Sequence, residues 1–189
     1  MRKNFFASTA VAAAMLVLLS LPATAQRFSG EFSGFNELGA LNNQSGAILS
    51  NGEGTLKLTL DKDASTISYE LTYSGLSSNV LQSHIHFGRV HSSGGIMVFL
   101  CTNLGNGPAG TPTCPATGGT VTGTITASGV RPIPTQNVTA GDFDAITAAL
   151  LNRAAYGNLH TANFPAGEIR AEVRRQHDDD DDHDDKSKR

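Results

Sequence analysis

The chain has 189 residues, with 14 Lys/Arg against 17 Asp/Glu, and 39% of it is hydrophobic. A charge balance this close to neutral, with no basic stripe interleaved with aromatics, argues against a nucleic-acid partner. The length suits one domain with its own core, and after the N-terminal run no segment is long and apolar enough to span a bilayer.

The chain begins "MRKNFF", with Arg2 and Lys3 ahead of the apolar "ASTAVAAAMLVLLSL", and Ala23-Thr24-Ala25 follows. A basic start, a short greasy middle and a small-residue ending read as a secretory signal peptide over residues 1–25, cleaved after Ala25. The run is shorter than the roughly 20 apolar residues of a spanning helix. The expected localisation is therefore secreted or periplasmic, with no membrane span once the signal is removed.

From there the dominant signal is period two. After a first run, "RFSGEFSGF", the stretch "TLKLTLD" places Leu56, Leu58 and Leu60 on one face, and "TISYELTY" does the same with Ile67, Tyr69, Leu71 and Tyr73. The polar link "DKDAS" makes these two a β-hairpin. "VLQSHIHFG", "GIMVFLCTN", "GTVTGTITASG", "YGNLHT" and "GEIRAEVR" follow as further strands, separated by Gly, Pro, Asn and Ser. Many short strands with turn signals between them predict an all-β fold, an immunoglobulin-like or Greek-key β-sandwich. One segment departs from period two. In "TAGDFDAITAALLNRAAYG", Phe143, Ile146, Ala149 and Leu150 recur at helical spacing, with acid at the front and Arg153 behind. It predicts one short helix before the last two strands, laid over an end or side of the sheet. The longest loops are "NELGALNNQSGAILSNGEG" and "GNGPAGTPTCPATGG".

Cys101 and Cys114 flank a Gly/Pro/Thr loop in the exported part. Their spacing matches no zinc pattern, which favours a disulfide over two reduced thiols at a metal site. The closing "DDDDDHDDKSKR", residues 178–189, has seven aspartates and nothing apolar, and is expected to be a disordered acidic tail. Residues 26–177 then form the single folded domain.

Three histidines carry the chemistry. In a strand, residues i and i+2 share a face with Cα atoms about 6.5–7 Å apart, so His84 and His86 point the same way while Ile85 and Phe87 enter the core. In "NLHT", Leu159 is the core residue, leaving Asn158 and His160 on the outer face. If the last strands lie beside that of His84, then His84, His86 and His160 form one cluster that would suit copper or zinc with a position open to water. The alternative is that the rings hydrogen-bond backbone groups and close one end of the sandwich. His91 is a loop residue that could reach such a site as a fourth ligand. The sequence contains no phosphate-binding Gly-rich loop, nucleophile elbow or HExxH. Glu168 and Arg170 are expected on the outward face of the last strand, in a cross-strand ion-pair network holding the Pro165–Gly167 turn.

"SHIHFG", the short helix and "YGNLHTANFPAGEIRAEV" together resemble the chordin-type (CHRD) domain, whose members carry an H-I-H-x-G strand and close with N-x-H-T-x-x-x-P-x-G-E-I-R-G. The matching positions are His84, Ile85, His86 and Gly88, then Tyr156, Asn158, His160, Thr161, Pro165, Gly167, Glu168, Ile169 and Arg170. Ser33, Gly34 and Glu37 resemble the family's opening. Ala171 stands where the family has glycine, and Gly157 where it has an apolar residue. The resemblance implies an immunoglobulin-like β-sandwich that is secreted or surface-exposed, similar to stand-alone bacterial members. In animals such domains belong to an extracellular antagonist of growth factors. It implies a shared structural or ligand role for the three histidines, and a structural one for Asn158, Thr161, Pro165, Gly167, Glu168 and Arg170.

Two classes of function follow. The first is a non-enzymatic exported binding or structural domain, with an extracellular or periplasmic protein or a metal ion as partner. The second is a copper-dependent redox enzyme resembling copper-zinc superoxide dismutase through its HxH strand and its fold class only, with Arg170 as guiding cation. A copper- or zinc-handling protein without turnover lies between them.

Overall fold

The computed structural model describes residues 25–38 and 46–176. The stretches expected to be a signal peptide and an acidic tail lie outside the described residues, as does the centre of the first long loop.

Nine antiparallel strands form one sheet: β1 (Gln26–Ser33), β2 (Glu53–Asp61), β3 (Thr66–Ser74), β4 (Val80–Phe87), β5 (Gly95–Thr102), β6 (Gly119–Ile125), β7 (Ala155–Thr161), β8 (Ile169–Glu172) and β9 (Arg174–Arg175). Their order is β5-β4-β7-β8-β1-β2-β3-β6, with β9 beside β1. The sheet curls until its two ends meet. There the Tyr69 hydroxyl on β3 donates to the Leu100 carbonyl on β5 at 2.7 Å, and Tyr73 donates to Pro115 at 2.7 Å. The expected sandwich is thus one sheet nearly closed on itself, barrel-like, with the core inside.

Period two builds that core. Leu56, Leu58, Leu60, Ile67, Leu71 and Tyr73 are at most 1% exposed. Each turns inward because its strand alternates, and each large side chain buried this way contributes about 1.5–3 kcal/mol. Ile85, Leu159 and Ile169 join them at 0%. The helix α1 (Phe143–Leu151) precedes β7 and buries Ile146, Ala149 and Leu150. Asp142 caps it, its carboxylate accepting from the Ala145 N–H at 2.9 Å. The Cys101–Cys114 disulfide forms and staples the loop between β5 and β6.

Gly157 has a packing reason. A Cβ there would come within 2.7 Å of the Phe32 ring and 3.3 Å of Leu56. The volume that an apolar residue would fill on β7 is taken by Phe32 from β1.

Candidate metal centre

The pairing of β4 with β7 places the histidines. His84 stands opposite Asn158, His86 opposite Tyr156, and Gln82 opposite His160, with no register break from Gln82 to Phe87. His160 is therefore diagonal to His84, close enough for long side chains to meet. Gly157, between Tyr156 and Asn158, faces the core, so all three imidazoles project from the opposite side of the sheet.

That side is not the open outer face expected from alternation. His84 is 0% exposed, Asn158 4%, His160 8% and Arg170 1%. Loops roof it. The Glu37 carboxylate accepts from the Asn158 amide, and Asn36 donates to the Arg170 carbonyl. Arg170 donates to the Arg89 carbonyl, and the Gly94 N–H donates to the Tyr156 hydroxyl at 3.1 Å. From β5, Phe99 sets its ring edge-on to His84, centroids 4.4 Å apart. Period two assigns a side chain to one face of a sheet, but not what a distant loop lays over that face.

One potential ligand nitrogen from each of His84, His86 and His160 lies within 4.8 Å of the others. Three nitrogens at about 2.0–2.1 Å from one ion are about 3.3–3.6 Å apart, so closing the cluster asks for ring shifts of about 1 Å. The rings are prepared for this. His86 Nδ1 bonds the Gly94 carbonyl at 2.9 Å, and His160 Nδ1 bonds the Pro165 carbonyl at 3.0 Å. A carbonyl only accepts, so Nδ1 carries the proton in both rings and the Nε2 lone pair is free. Both Nε2 atoms are buried without a hydrogen-bond partner, and so are both ring nitrogens of His84. Buried polar atoms seldom go unpaired, and four on three adjacent rings leave lone pairs and donors open to a metal ion or an ordered water.

Burial also keeps the rings neutral. Desolvation pushes His84 down to about 2, with the neighbouring His160 and His86 adding to the shift. His86 falls to about 4, chiefly by burial, against the opposing pull of the Gly94 hydrogen bond. His160 is lowered for the same leading reason. A neutral imidazole is the form that binds a metal.

The other predicted residues take different places. Arg170 holds Glu172 at 2.8 Å and lays its guanidinium 3.4 Å from the centroid of Tyr156. The Tyr156 ring stacks in turn on His86 at 4.8 Å. Glu168 does not share an ion-pair network with Arg170. Its carboxylate turns to the end of the sheet and accepts from Ser50, from the Ser77 hydroxyl and N–H, and from Thr161, at 2.6–2.9 Å. The strand begins only at Ile169, and Gly167, at φ +135°, lets the chain turn the Glu168 side chain aside. Pro165 contributes its carbonyl. His91 lies exposed in the loop before β5, outside the histidine group. Phe99 and Gly94 carry no sequence signal for the site. Glu37 and Tyr156 were visible only through the family resemblance.

The CHRD domain family model matches residues 28–173. Comparison with curated proteins and with solved structures found no match.

Proposed function

The chain belongs to the CHRD domain family, and from that membership we propose an exported, non-enzymatic binding module whose three-histidine cluster holds one copper or zinc ion. Family membership supports a binding or structural role. The disulfide and the signal-like N-terminus support an extracellular or periplasmic setting, where the partner would be a protein of that compartment. Among the described residues no helix is long and apolar enough to cross a membrane.

The observation that carries the metal reading is the set of orphaned nitrogens. His86 and His160 are held in one tautomer by main-chain carbonyls, which leaves each Nε2 free, and one ligand atom of each of the three rings lies within 4.8 Å of the others. A structural role for the rings would use those atoms on protein partners. Burial weighs toward holding an ion rather than turning over a substrate, and Arg170, committed to Glu172 and Tyr156, is not poised to steer one. The test is the metal content of the purified full chain, with His84→Ala and His160→Ala as controls. The reading requires a stoichiometric ion, lost in both variants while a cooperative melt persists. An ion at background level in the wild-type chain would sink it.

A further inference from the structure

Resting on the reading just given, which leaves copper and zinc on equal terms, we infer that the centre selects monovalent copper, held by three nitrogens with no fourth ligand, over divalent zinc.

Charge is the first ground. The ligand group contains only imidazoles, with no carboxylate or thiolate among them. The neighbouring carboxylates are engaged elsewhere. Glu172 holds Arg170, Glu37 accepts from Asn158 and from the Leu38 N–H, and Glu168 is ringed by hydroxyl donors. Both cysteines are spent in the disulfide. None of these carboxylates belongs to the ligand group, so an ion there would meet a cage of three neutral imidazoles and no ligand that cancels its charge. The cost of burying an ion rises with the square of its charge, so a dication costs about four times as much as a monocation in the same neutral cage.

Coordination number is the second. Zinc held by three histidines normally keeps a fourth position, where a bound water ionises and supplies the missing negative charge. Here Phe99 stands edge-on to His84, Tyr156 covers His86, and Asn158 lies between His84 and His160 on the strand pair. Imidazole is a good copper ligand, and the monovalent ion has a filled shell and accepts low coordination without a geometric penalty.

The test uses the full chain under nitrogen. Monovalent copper, kept reduced by ascorbate, is titrated against bicinchoninate, and divalent zinc against a chromophoric chelator. The triple variant His84→Gln, His86→Gln, His160→Gln reports ions held elsewhere on the chain. X-ray absorption of the copper-loaded wild type counts ligands without relying on any variant folding. The expected result is one copper per chain, bound at least about 100-fold more tightly than zinc, with three nitrogens near 2.0 Å and no fourth scatterer. Zinc binding one to one with equal or greater affinity, or a fourth light ligand on copper, would overturn this inference and leave the metal reading standing. Stoichiometric binding of neither ion would overturn both.

Discussion

Replacing His84 with leucine separates a ligand histidine from a structural one by the sign of a stability change. Both His84 ring nitrogens are buried without partners, and leaving such groups unsatisfied costs about 1–3 kcal/mol. Leucine has a similar volume and no polar atoms, so it removes that penalty and leaves little cavity. It also loses the edge-on contact with Phe99, worth about 0.5–1.5 kcal/mol. The balance for the metal-free protein is neutral to about 2 kcal/mol stabilising. At roughly 2–4 °C per kcal/mol for a domain of this size, the melt should hold or rise by several degrees. The assay is denaturant and thermal unfolding in chelator, repeated with added ion. With ion at 100 times its dissociation constant, the wild type should gain about 2.7 kcal/mol and His84→Leu nothing. A loss of about 2 kcal/mol or more by His84→Leu in chelator would refute the reasoning, because it would mean the imidazole nitrogens have partners worth keeping.

Acid should weaken the metal-free fold by a route the histidines dictate. Their folded pKa values lie below the ordinary 6.5, with His84 near 2 and His86 near 4, so between those limits the unfolded chain binds more protons than the folded one. Stability is then fully present above about pH 6.5 and falls with decreasing pH, with a slope of up to about 1.4 kcal/mol per pH unit for each ring. Urea titrations from pH 7.5 to 4.5 should show the midpoint dropping, and a flat profile would contradict it. Glu168, raised by burial but lowered further by its hydrogen bonds from Ser50, Thr161 and Ser77, ends below its ordinary value of 4.5 and adds to the loss in acid. Removing the disulfide as Cys101→Ser with Cys114→Ser, which opens a loop of 13 residues' separation, should cost about 3 kcal/mol in the same titrations. Gly157→Ala should destabilise by about 1–3 kcal/mol through collision with Phe32, and Phe32→Leu in the same chain should recover part of the loss. Additive effects would mean that the two do not share one space.

What could be foreseen follows from what period two encodes. It placed Leu56, Leu58, Leu60, Ile67, Tyr69, Leu71 and Tyr73 on the buried face, and it set His84 and His86 side by side. The helical spacing in α1 was equally plain, because Ile146, Ala149 and Leu150 break the alternation. Alternation does not say which strands pair, so the diagonal meeting of His160 with His84 depended on the order β4-β7, which only the whole sheet determines. It also left the roof unseen. Glu37 lies 121 positions from the Asn158 it meets, and no local pattern announces such a contact. Glu168 was misplaced for a local reason. Alternation was extended one residue ahead of the start of β8, into a turn where it does not apply.

The two carbonyls that orient His86 and His160 belong to Gly94 and Pro165, and both are main-chain atoms. No side-chain replacement can delete them. The centre is thus guarded by loop shape, and its weak points are residues that never touch an ion. Gly94 sits where any Cβ would strike the Phe87 carbonyl, and Gly167 holds a backbone angle that other residues resist. An alanine at either glycine would leave every imidazole in the chain and still misdirect a proton. Drift in these two short turns would disarm the site while the histidine motif read as intact.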